Sequence, residues 1–170
     1  MKVNLNYVNE NPFSATLDYL YDLLIALDGI NQHPKYHPEI DALYHSLQVF
    51  QCALKDTDDP ELLAAALFHD IGKATDSKRH AEIGKTYVDG ILTPRIAWLI
   101  EHHLDLLISP KKTRQRYHQS TQLLDLQKLR KWDLSGRKID VLVISADQAI
   151  SMLAVNISDI CIDNQVQNGY

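Results

Sequence analysis

The sequence predicts an all-α bundle of about six or seven helices. Three observations carry this: apolar residues recur at three- and four-residue intervals, helix start and stop signals bracket most of these runs, and no run has a strand partner. Ser14 caps a first helix whose apolar face is Leu17, Leu20, Leu24 and Leu27, and Asp28-Gly29 stops it. NQHPKYHPE then reads as a loop. A second helix runs from about Glu39, with Ile40, Leu43, Leu47, Phe50 and Leu54 on one face. Asp59-Pro60 places an N-cap before a proline at the first helical position, and ELLAAALFHDIG behind it ends at Gly72. That third helix carries His69-Asp70 in its last turn. HAEIGKTYVDGI forms a fourth, and Thr93-Pro94 opens a fifth containing RIAWLIEHHLDLLI. Further helices fit TQLLDLQKLRKW and the segment after Lys138. There IDVLVI is β-branched enough for a strand, but without a partner it reads as helix.

A length of 170 residues with 45% hydrophobic content suits one compact domain spanning residues 1–170. The formal charge of -5 argues against a surface that coats nucleic acid, so any such contact is local. Cys52 and Cys161 lie outside any CxxC spacing, and a reducing cytoplasm fits them. The amino-terminal stretch MKVNLNYVNENPF shows no secretory signal, and Asp140, Asp147 and Asp159 interrupt the most apolar stretch, Ile139 to Ile162. No membrane association is expected.

Eight histidines make individual ones uninformative, so placement must decide. His69 and Asp70 are adjacent at the end of an apolar helix, where a carboxylate is costly unless compensated. A divalent ion is the natural compensation, since imidazole nitrogen with carboxylate oxygen suits iron, manganese, nickel, cobalt or zinc. The alternative is a hydrogen-bonded helix end.

The stretches HPEIDALYHSLQVF, ELLAAALFHDIGK, HAEIG, RIAWLIEHH and WDLSGR, in this order, resemble the HD superfamily of metal-dependent phosphohydrolases from about His37 to Arg137. They are most similar to the HD domain of bacterial tRNA nucleotidyltransferases, here without the nucleotidyltransferase part. The resemblance implies His45 as first ligand, His69 and Asp70 as the signature pair, and Asp133 as the closing carboxylate. It also implies His80 and His103 as ligands of a second ion. His103 is preferred to His102 by register, and adjacent helix residues point about 100° apart. Lys73 and Arg137 are expected to meet substrate phosphate, Lys73 with a catalytic role beside Asp70. His33, His37 and His118 are weaker metal candidates. KKTRQRY, read as a basic loop, could guide a nucleotide or an RNA end.

The expected reaction is hydrolysis of a phosphomonoester or phosphodiester, a nucleotide or cyclic nucleotide, by water activated on one or two divalent ions. Two alternatives share the scaffold: a diiron oxygenase, and a nucleotide-binding regulatory module without turnover. The residues choose neither the physiological substrate nor the native metal.

Overall fold

The computed structural model describes residues 11–162; the leaderless reading of the amino terminus lies mostly outside them. Among the described residues there are ten α-helical segments and one 3-10 turn, with no β-strand beyond two isolated bridges. They are α1 (Ser14–Ile25), α2 (Ala42–Leu54), α3 (Pro60–Phe68), the 3-10 turn Ile71–Ala74, α4 (His80–Val88) and α5 (Pro94–His102). The short α6 (Asp105–Ile108) and α7 (Pro110–Arg116) precede α8 (Thr121–Ser135), α9 (Ala146–Ala154) and α10 (Ile157–Ile160). None is long and apolar enough to cross a membrane.

Helix α3 is the axis. Every residue from Leu62 to Phe68 is buried, and α2, α5, α8, α9 and α10 surround it. Its alanines, Ala64, Ala65 and Ala66, let neighbouring backbones approach, while Leu62, Leu67 and Phe68 supply apolar area. Each buried leucine contributes about 1.5–3 kcal/mol. Asp59 caps α3 by accepting from the backbone N–H of Glu61 and Leu62, with Pro60 at the first helical position as expected. Arg95 of α5 donates to Asp59, Glu61 and Asp125, tying the start of α3 to α5 and α8.

Several boundaries depart from the sequence reading. Ser14 is the first residue of α1 and makes no capping bond. Asp41, rather than the region of Glu39, starts the second helix by accepting from the Tyr44 N–H. The RIAWLIEHHLDLLI run breaks after His102 into α5 and α6. KKTRQRY is mostly helical, in α7, where Thr113 Oγ1 donates to the carbonyls of Asp105 and Ser109.

The segment after Lys138 is the clearest correction: helix begins only at Ala146, and residues 139–144 are irregular, with a bend at residues 139–140 where Asp140 has φ +55°. Side chains of α2 stand in for a partner strand. The Tyr44 hydroxyl donates to the Val141 carbonyl and accepts its N–H, and Gln48 pairs both ways with the backbone of Lys138. Gln51 likewise donates to Leu142 O and accepts from Ile144 N. These three side chains share one face of α2 and satisfy the backbone groups that a sheet would have bonded.

Gly72 sets the turn after α3. A Cβ there would lie 2.1 Å from the His80 carbonyl oxygen and 2.8 Å from the Gly84 nitrogen, both backbone atoms that cannot swing aside. Gly29, by contrast, has φ +75° and nothing within 4 Å of a built Cβ. Gly72→Ala is therefore expected to cost about 3 kcal/mol of unfolding free energy by overpacking. Gly29→Ala should cost only about 1–2 kcal/mol, from backbone conformation alone. Urea unfolding of the two variants checks the order.

Candidate metal centre

Six elements deliver six side chains to one point. His45 lies one turn into α2, His69 follows the last residue of α3, and Asp70 precedes the 3-10 turn. His80 opens α4, His103 follows α5, and Asp133 sits near the end of α8. All six are buried.

Asp70 divides its carboxylate between two groups. Its Oδ2 lies 3.3 Å from His69 Nε2 and 3.8 Å from His45 Nε2, while His45 Nε2 is 3.2 Å from Asp133 Oδ1. Its Oδ1 lies 3.2 Å from His80 Nε2 and 3.6 Å from His103 Nε2. One carboxylate thus faces two clusters, which is the arrangement of a bridging ligand.

The imidazoles are locked from behind. The Nδ1 atoms of His69, His80 and His103 lie 2.8, 2.8 and 2.7 Å from the carbonyls of Ala66, Ser77 and Ile100, each three residues upstream. His45 Nδ1 is 3.1 Å from Gly136 O and 2.8 Å from Glu39 Oε1. A carbonyl accepts only, so each Nδ1 carries the hydrogen, and each Nε2 of a neutral ring presents a lone pair to the centre, with a proton on His45 Nε2 facing Asp133 when that ring is charged. His45 Nε2 and His69 Nε2 are sealed from solvent without a hydrogen-bond partner. His80 Nε2 and His103 Nε2 stand 3.1 Å apart, and with both hydrogens committed to carbonyls this places lone pair against lone pair. A cation between such nitrogens and carboxylate oxygens removes the conflict. The donor set therefore fits a transition-metal ion.

The charge pattern of the metal-free site agrees. Burial opposes ionisation of Asp70, but His69, Lys73 and His103 hold its carboxyl well below the usual range. Asp133, also buried, is held low by His45, His69 and Arg137. Burial would lower His45, yet Asp133, Glu39 and Asp70 lift its imidazole to about 9. His103 is pushed down by burial, against the pull of Asp70.

Beside the cluster lies a cavity of about 500 Å³, reaching His69, Asp70, His80, His103 and Asp133 and walled by Tyr36, His37, Leu104 and Leu107. Lys73 and Arg137 line it, but both are engaged. Lys73 Nζ donates to Asp70 Oδ2 at 2.6 Å and to Gln32 Oε1, and Arg137 grips both oxygens of Asp133 at 3.0 and 2.9 Å. His102 turns away, with Nδ1 2.9 Å from Asp105 and its ring against Trp98. His33 and His118 are not among the cavity's walls, whereas His37 is.

Three contributors escaped the sequence reading. Glu39 stands behind His45, Gln32 behind Lys73, and Arg130 donates to Asp133 Oδ2 at 2.9 Å. The Asp133/Arg137 spacing of four residues was a visible helical pair, and Arg130 at three residues the other way completes it. Glu39 and Gln32 left no signal, because they reach the site through a loop.

The HD domain family matches residues 42–148. A "Multifunctional CCA protein" of Methylococcus capsulatus is 45% identical over 60 residues, which are 35% of this chain and 14% of that protein. A protein of the same description from Acinetobacter baumannii is 41% identical over 60 residues, 35% of this chain and 15% of the relative. The match spans only a small part of these relatives' length. With the family matching well over half of its residues, the chain belongs to the HD domain family, a superfamily of metal-dependent phosphohydrolases that bind divalent metals.

Proposed function

We propose that this chain hydrolyses a phosphoester bond of a nucleotide or cyclic nucleotide at a two-ion centre formed by His45, His69, Asp70, Asp133, His80 and His103. The single observation that carries the reading is the division of Asp70 between two clusters whose imidazole lone pairs all face inward. When bound, the ions supply Lewis-acid stabilisation of phosphoryl oxygens and a water acidic enough to serve as nucleophile near neutral pH. Asp70 and Asp133 orient that chemistry by fixing ligand geometry. Lys73, Arg130 and Arg137 neutralise these two carboxylates in the metal-free protein and retain further N–H donors for phosphoryl oxygens. Tyr36, Leu104 and Leu107 offer apolar surface to a base or other ester group.

Charge distribution supports a polyanionic substrate, including an RNA end. Residues 110–137 hold eight lysines and arginines against two carboxylates, Asp125 and Asp133, in a chain of net charge -5. Both carboxylates are buried and paired with arginine. Arg130 lines the metal cavity and also an adjoining open trough with Arg114 and Lys131. The thiols of Cys52 and Cys161 are free, the state that a reducing cytoplasm maintains.

Asp70→Ala should lower metal content and reduce hydrolysis of nucleotide monoesters or 2′,3′-cyclic nucleotides by at least about 100-fold, with helicity intact. Lys73→Ala should keep its metal and turn over more slowly. Both are read by elemental analysis and phosphate release under anaerobic conditions with manganese, cobalt or nickel. Strict dependence on iron and dioxygen would identify an oxygenase instead.

A proton on His45 competes with metal, and its imidazole sits at about 9 without metal. Apparent metal affinity should therefore climb as pH rises from 6.5 and level off above about 9. Stability of the metal-free protein should run the other way. The His45 contribution is full below 6.5 and lost as pH rises through about 9, and the Asp70 and Asp133 contributions vanish as pH falls below the carboxylate range. Metal titration and urea unfolding across pH test the two opposite trends.

A further inference from the structure

The four inward-facing imidazoles are not equivalent. His69, His80 and His103 each donate Nδ1–H to a neutral carbonyl of their own chain three residues back. The Nδ1–H of His45 faces Gly136 O at 3.1 Å, and a carboxylate oxygen, Glu39 Oε1, lies 2.8 Å from the same nitrogen. The same oxygen takes the Nδ1–H of His37 at 2.9 Å, and the His37 ring packs edge-on against His45, 4.7 Å between centroids.

Glu39 is an expensive group to place there. Its side chain is 0% exposed, and its second oxygen, Oε2, is buried without any hydrogen-bond partner. The backbone that delivers it is strained, since the next residue, Ile40, is β-branched and adopts φ +65°. A buried carboxylate with one oxygen unpartnered is incompletely compensated by two imidazoles that both meet its other oxygen. It is well compensated when the imidazole in front of it carries part of a cation's charge, because a carboxylate behind a ligating histidine raises the donor strength of the far nitrogen. Neutral carbonyls behind the other three histidines do this less.

We propose that Glu39 is a positioning residue that makes the metal position served by His45, His69, Asp70 and Asp133 the tighter of the two, and the one served by Asp70, His80 and His103 the weaker. This rests on the two-ion reading of the site. Filling is then sequential: the first ion settles against His45 and the second joins across Asp70.

The test is a zinc titration of chelator-stripped protein in a metal buffer, run at the same fixed pH for every variant. The unaltered chain should bind two ions in unequal steps. Glu39→Gln should weaken the tighter step about 10–100-fold and leave the weaker within about twofold. Glu39→Asp, which keeps the charge but withdraws it, should fall between them, and it carries the question if the glutamine variant does not fold. His80→Ala should remove the weaker step only, which identifies the positions. The proposal is overturned if Glu39→Gln leaves the tight step unchanged or weakens both steps equally. Outright loss of an ion would also overturn it, because Glu39 would then itself be a ligand. An unaltered protein that binds no zinc would end the metal-site reading as well. The expected binding order without phosphoester hydrolysis would end the hydrolase reading and leave this one standing.

Discussion

The carboxylate of Asp70 lies at the buried end of an apolar helix, where an uncompensated charge would cost several kcal/mol, and the surrounding structure is organised to meet that cost. Four imidazoles and one ammonium converge on it from α2, the end of α3, α4, α5 and the 3-10 turn. Those elements are held at their distances by the packing of α3, whose alanines and leucines fill the centre of the bundle. The fold and the site are therefore not separable. The helix that forms the core is also the one that ends in the signature pair, and Gly72 makes the close approach of α4 possible one turn later.

Compensation extends outward in layers of alternating charge. Asp133 is gripped by Arg130 and Arg137, and Arg137 also donates to the Tyr36 carbonyl, so the loop before α2 is fastened to α8 beside the cavity. Gly136 contributes twice. Its carbonyl receives His45 Nδ1–H, and a Cβ on it would come within 2.7 Å of Val49 Cγ2. The end of α8 can thus lie directly on α2 only because this position has no side chain. The cations that neutralise these carboxylates are the same groups that face the cavity.

Much of this was legible in the sequence, for a definable reason. Helix periodicity, the Asp59-Pro60 start and the glycine after His69-Asp70 are local signals, and local signals survive without tertiary information. The register that favours His103 over His102 is likewise a property of one helix, and in the structure His103 faces the cluster while His102 pairs with Asp105. The errors fell where local preference was overruled. Residues 139–144 have strand-like composition and no strand to join, and the side chains of Tyr44, Gln48 and Gln51 resolve this by bonding their backbone instead. Nothing in the run IDVLVI signals a partner about 90 residues earlier in the chain.

The sequence by itself determined the all-helical class and the family, and it singled out the six side chains that the fold brings together, because each depends on residue type and short-range spacing. Only the tertiary structure decided how the donors divide. The two-sided presentation of Asp70, the opposed lone pairs of His80 and His103, and the engagement of Lys73 and Arg137 with carboxylates arise from distances between helices. So does the placement of Glu39 behind His45, which depends on one left-handed residue in a loop that has no periodicity to read. Such contacts are set by how the helices pack, and packing joins positions whose separation along the chain bears no relation to their separation in space.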